Sequence, residues 1–210
     1  RGISQEDRAT RAGAWQTAIG PGLAGKTLGV VGLGRIGSQV ASIGRAFQMR
    51  VAAWSQNLTQ ERATECDATL VTREDLLAQA DVVTIHLRLS ERTRGLIGAK
   101  ELALMKPTAY LVNTSRGPIV DESALLDALR RGTIAGAALD VFDVEPLPLD
   151  HPLRAMENTV ITPHLGYVTT DSYRNMYGQA VEDIRAYLDD QPVRVINPQV
   201  LDRPNLRRPG

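Results

Sequence analysis

Gly32-Leu33-Gly34-Arg35-Ile36-Gly37 follows the apolar run Thr27-Leu28-Gly29-Val30-Val31 and opens an alternating stretch that ends near Phe47. The order reads as strand, tight turn and helix, the setting in which glycines at this spacing cradle a dinucleotide. Gly32 permits the turn, Gly34 lets backbone approach a pyrophosphate, and Gly37 lets the helix pack close to the strand. The helix that Arg35 and Ile36 open offers unpaired N–H groups and partial positive charge to the phosphates.

Outward from this turn the same alternation repeats. Strands are predicted over 50–54, 69–71, 81–85, 109–113, 134–139 and 159–162. Helix-compatible sequence separates them. Thr72-Arg73-Glu74-Asp75 has the form of a capping box opening a helix through Ala80. A helix over 100–106 is stopped by Pro107, and Asp121 caps another that ends at Gly132. Strands alternating with helices at this spacing give an α/β fold, a doubly wound parallel sheet of Rossmann type with ligands beyond the C-terminal ends of the strands. The loop over 143–152 is rich in proline and acid. A long helix over 170–189 leaves the sheet, and 192–210 reads as an extended or poorly ordered tail. The expected organisation is an arm and helix over 1–19, a dinucleotide-binding domain over 20–169, and a helix and tail over 170–210.

Lysine and arginine number 24 against 24 aspartates and glutamates, so no net field favours nucleic acid or an anionic membrane. Arg1, Arg8, Arg11, Arg203, Arg207 and Arg208 are read as solvated ends rather than a binding patch. The single cysteine, Cys66, excludes an internal disulfide and a cysteine-based metal site, which fits a reducing cytoplasm. No apolar run approaches the roughly 18 residues of a membrane helix.

Only three histidines are available as general acid or base. His164 follows Pro163 directly after the seventh predicted strand, on the rim where ligands bind. His86 ends the fourth strand on the same rim and is read either as lining a cofactor pocket or as satisfied by local hydrogen bonds. His151 is assigned an exposed structural role in the acidic loop. Glu145 lies just after the sixth strand and Arg116 just after the fifth, so both belong to the rim of His164. A carboxylate beside an imidazole favours the charged ring, which can then give or take a proton. An arginine offers a planar fork to a substrate carboxylate.

Four segments, Gly32 to Gly37, Asn113-Thr114-Ser115-Arg116-Gly117, Asp140-Val141-Phe142-Asp143-Val144-Glu145-Pro146 and Thr162-Pro163-His164-Leu165-Gly166, resemble the successive motifs of the D-isomer-specific 2-hydroxyacid dehydrogenases, in order and spacing. The resemblance implies hydride transfer between NAD or NADP and a small 2-keto or 2-hydroxy acid, in the manner of glyoxylate/hydroxypyruvate reductases or phosphoglycerate dehydrogenases. It makes His164 the acid/base, Glu145 its partner, Arg116 the clamp on the substrate, and Asp140 a contact on the nicotinamide side. Thr114 and His86 join the cofactor-binding set, and the segment from Leu89 to Ile97, with Thr93, resembles the family's loop over the adenosine half. It also implies a homodimer joined through the cofactor domain and its arm, for which Ile3, Trp15 and Ile19 are the apolar candidates. No nucleic-acid, membrane or metal partner is expected.

Two departures stand out. The family ends its second strand with an acid that holds the ribose, whereas this chain has Trp54-Ser55-Gln56-Asn57, with Ser55 at that position and no arginine directly after it. Neither NAD nor NADP is selected by that stretch. The family also carries a substrate domain ahead of the segment that begins here, so the resemblance implies a fragment. The same three chemical residues occur in the C-terminal-binding-protein corepressors, which leaves a nucleotide-sensing interaction protein, or an inactive remnant, as alternatives.

Overall fold

A computed structural model describes residues 2–201; Arg1, Arg203, Arg207, Arg208 and the end of the predicted tail lie outside the described residues. The chain divides into two compact units, one running to Pro163 and the other from His164 onward.

The first unit is built on seven parallel strands: β1 (Thr27–Val31), β2 (Arg50–Trp54), β3 (Thr69–Leu70), β4 (Val82–Ile85), β5 (Tyr110–Asn113), β6 (Gly136–Leu139) and β7 (Thr159–Ile161). Their order is β3-β2-β1-β4-β5-β6-β7, as expected of a doubly wound sheet. The order reverses between β1 and β4, and ligands of such sheets bind at that switch point. β1 is buried at all five positions. Its side chains serve two cores, because successive residues of a strand point to opposite faces. Val31 joins Ile85, Leu111 and Leu139 on one side, whereas Leu28 and Val30 join Ala41, Val51 and Ala53 on the other.

The crossover helices are α2 (Arg35–Ala46), α3 (Gln60–Glu65), α4 (Arg73–Gln79), α5 (Ala99–Leu104) and α6 (Glu122–Arg131), preceded by an N-terminal helix α1 (Ile3–Arg11). The predicted caps form: Thr72 Oγ1 accepts from the Asp75 N–H at 3.0 Å, and Asp121 accepts from the Ala124 N–H at 3.0 Å. α5 ends two residues earlier than the sequence suggests, because Met105 is already extended (ψ 154°) ahead of Pro107 and of Lys106, which that proline also restricts. β6 starts two residues late, although the Ala135 N–H already reaches the Ala109 carbonyl at 2.9 Å.

α1 buries none of its residues, and Arg11 pairs with Asp7 at 3.0 Å while remaining exposed, in keeping with a solvated end. Ile3, Trp15 and Ile19 are 77%, 79% and 102% exposed. The second unit consists mainly of α7 (Thr170–Leu188), capped by Thr169 Oγ1 on the Ser172 N–H at 3.1 Å. No described helix is long and apolar enough to cross a membrane.

Candidate dinucleotide and catalytic site

The three fingerprint glycines are glycine for three different reasons. Gly32 sits at φ 103°, and a Cβ there would lie 2.7 Å from the His86 carbonyl oxygen. A Cβ on Gly37 would lie 2.0 Å from the Gly32 oxygen, so α2 touches the turn backbone to backbone. Gly34, the cap residue of α2, has an ordinary φ of −80° and open space where a Cβ would be. Nothing in the protein itself requires glycine at that point. Arg35 and Ile36 follow it on the exposed first turn of α2.

Beside the turn, the Gly32 N–H bonds the Trp54 carbonyl at 2.8 Å. Beyond the ends of β2 and β3 opens a hollow of about 760 Å³, lined by Trp54, Ser55, Leu70, Thr72 and Arg73 among others. Arg73 is a residue that the reading of Trp54 to Asn57 could not supply. It comes from the next crossover, and its guanidinium lies 5.8 Å from the centre of the Trp54 ring. The capping box showed the residue, but its charge was legible there only as part of a helix start.

On the β4 rim, His86 is half-buried, its Nε2 lies 3.0 Å from Thr84 Oγ1, and burial pushes its pKa down, so the ring is held neutral. Local hydrogen bonding, one of the two readings offered for it, is therefore met. Thr93 Oγ1 donates to the Arg88 carbonyl at 2.7 Å and accepts from the Ser90 N–H at 2.8 Å, which closes the loop predicted to cover adenosine.

At the end of β5 the buried Asn113 side chain organises the loop. Its Nδ2 donates to the Arg116 carbonyl at 2.9 Å and its Oδ1 accepts from the Ser115 N–H at 3.0 Å. Thr114 and Arg116 are thereby presented at the surface, with Arg116 Nη1 on the Ser115 carbonyl at 2.6 Å. The neighbouring loop after β6 holds Asp140, 7% exposed, which accepts the Thr162 hydroxyl at 2.5 Å. Glu145 Oε1 accepts the Phe142 N–H at 2.9 Å. The Arg116 and Glu145 loops meet at Gly117, where a Cβ would fall 2.1 Å from the Phe142 carbonyl carbon and 2.6 Å from the Asp143 nitrogen. Nothing in the Asn113-Thr114-Ser115-Arg116-Gly117 motif by itself signals that role for Gly117.

His164 opens the second unit, two residues after Thr162, whose N–H bonds the Leu139 carbonyl at 2.9 Å. Its φ of 56° is left-handed, a region that side chains other than Asn, Asp and His rarely occupy. Its ring stands edge to face with Tyr167, centroids 5.8 Å apart. His151 departs from expectation in one respect: it is structural but not exposed. Its side chain is 12% exposed, with Nε2 3.0 Å from Glu122 Oε1 and Nδ1 accepting the Leu153 N–H, because Pro152 turns the loop back onto α6.

The profile of the D-isomer specific 2-hydroxyacid dehydrogenase NAD binding domain matches residues 1–166. A glyoxylate reductase of Aeropyrum pernix is 44% identical over all of this chain and 65% of its own length. A D-3-phosphoglycerate dehydrogenase of Bacillus subtilis is 43% identical over 92% of this chain and 37% of its own. A solved oxidoreductase from Ralstonia solanacearum superposes with a TM-score of 0.90 at 40% identity, covering 99% of this chain and 64% of that one. The chain thus spans less than two thirds of the relatives it matches.

Proposed function

Because the chain belongs to the D-isomer specific 2-hydroxyacid dehydrogenase family, as its NAD-binding domain, we propose that the whole protein interconverts a small 2-keto acid and its D-2-hydroxy acid at the expense of NAD(P)H or NAD(P)+. Bound NAD(P)H supplies the hydride to the carbonyl carbon. His164 delivers the proton to the carbonyl oxygen, so that a hydroxyl forms as the imidazolium becomes imidazole. Glu145 is its carboxylate partner, Arg116 holds the substrate carboxylate, and Asp140 would contact the nicotinamide side of a bound cofactor. Glyoxylate, hydroxypyruvate and phosphoglycerate-type acids are the substrate class. The buried lone thiol of Cys66 suits a cytoplasmic protein.

Gly34 carries this reading. Gly32 and Gly37 are needed by the fold, whereas at Gly34 the chain has left open the space that a pyrophosphate would fill. Gly34→Ala should therefore separate stability from binding. The melting temperature should hold, because the lost cap preference and the gain from a less flexible unfolded chain are each below about 1 kcal/mol and opposite in sign. NADH affinity should fall at least about tenfold, roughly 1.4 kcal/mol. An alanine variant that binds NADH as well as the parent would refute the site. Gly37→Ala is the contrast: its methyl meets the Gly32 oxygen, and the fold should weaken by about 1–3 kcal/mol.

The protein is further proposed to be a homodimer through this unit. Trp15 and Ile19 on the arm, and Ile43 on α2 and Phe47 just after it, at 57% each, leave apolar surface that a two-fold exchange would cover. Sedimentation equilibrium at micromolar concentration should return twice the chain mass, and a monomer would count against it.

A further inference from the structure

We propose that Arg73 reads the ribose 2′ position of the cofactor and admits a 2′-phosphate, so that the site accepts NADP(H) as well as NAD(H); this rests on the dinucleotide reading above. Arg73 lines the hollow beyond the ends of β2 and β3, together with Ser55, which stands where the family's acid would repel a phosphate. The hollow therefore lacks an acid at that position and gains a cation from the neighbouring crossover, although Glu74 and Asp75 from the same helix start also line it.

The guanidinium is held in place by two carboxylates. Glu101 Oε2 accepts the Gly98 N–H at 3.1 Å, which fixes the carboxylate, and its Oε1 holds Arg73 Nη2 at 3.2 Å. Glu74 Oε1 also meets Nη2, at 3.3 Å. Both acids therefore use one nitrogen of the fork. Nη1 and Nε make no hydrogen bond among the described residues. A guanidinium has five N–H donors and suits a phosphate through two of them at once. The Trp54 ring beneath keeps the plane from folding away. Of the two acids, Glu74 is 55% exposed and screened by water, so it competes weakly; Glu101, 13% exposed, sets the balance.

The test is titration of the full chain with NADH and with NADPH, read by calorimetry, for the parent, Arg73→Gln, Arg73→Lys and Glu101→Gln. The parent should bind both. Arg73→Gln should weaken NADPH about 10- to 100-fold, as loss of a charge-assisted contact does, and leave NADH within about twofold. Arg73→Lys keeps the charge without the fork and should fall between. Glu101→Gln keeps the capping bond to Gly98, removes the competing charge, and should tighten NADPH alone. A parent that binds NADH but not NADPH, or Arg73 variants that move both cofactors equally or neither, would overturn the inference and spare the dinucleotide site. A parent that binds neither cofactor would instead overturn the dinucleotide reading, and the inference with it.

Discussion

Gly117→Ala should cost the first unit at least the upper end of the roughly 1–3 kcal/mol typical of overpacking, because every atom its methyl would strike belongs to backbone. The contacts would be 2.1 and 2.2 Å to the Phe142 carbonyl group and 2.6 Å to the Asp143 nitrogen, and no rotamer can relieve them. Either the β5 loop or the β6 loop must move, and Arg116 or Glu145 moves with it. At about 2–4 °C per kcal/mol for a chain of this size, a fall in melting temperature of roughly 6–12 °C follows. Gly178→Ala supplies the control. Gly178 lies within α7 with open space around it, and alanine there should raise helix stability by about 0.5–1 kcal/mol. Thermal unfolding followed by circular dichroism checks both, and a Gly117→Ala chain that melts with the parent would show that the two loops are not locked at this point.

The pairing of Gly117 with Phe142 and Asp143 illustrates which features a single sequence can display. Signals carried by neighbours along the chain were legible. Thr72 and Asp121 sit just before helical segments and cap them, the near-continuous apolar runs at 27–31 and 109–113 became central parallel strands, and Gly32 needs the positive φ that its turn implies. Signals that arise only when distant segments meet were not. Arg73 reaches Trp54 from the start of α4, just after the neighbouring strand β3, so a search for a cation in the residues following Trp54 passes it by. His151 is the one imidazole of an acidic loop until Glu122 arrives from α6 to hold it. Gly34 belongs to a third kind. The motif named it together with its reason, the close approach of a pyrophosphate, and the fold adds that nothing in the chain itself needs glycine there.

The conformation of His164 allows the acid/base role proposed for it to be tested apart from folding. A left-handed backbone costs an ordinary L-residue about 1–2 kcal/mol, and strain of this kind persists where surrounding structure and function over-determine it. Glycine adopts φ 56° without that penalty but leaves a freer unfolded chain, at about 0.4–1 kcal/mol, and gives up the ring contact with Tyr167. These contributions oppose one another, so His164→Gly should leave stability within about 1 kcal/mol of the parent. His164→Asn, the other side chain at ease in this region, should do the same. In the whole protein both variants should lose keto-acid reduction by a factor on the order of 10²–10⁴, the usual contribution of a positioned acid, while NADH affinity holds. Arg116→Lys should fail differently: the fork that orients the substrate is lost while the proton donor remains, so KM rises along with the fall in kcat. Steady-state rates with hydroxypyruvate, alongside NADH titration and thermal melts, distinguish these outcomes. A His164→Asn enzyme that keeps most of its turnover would remove the histidine from the reaction, and its left-handed backbone would then need a purely structural account.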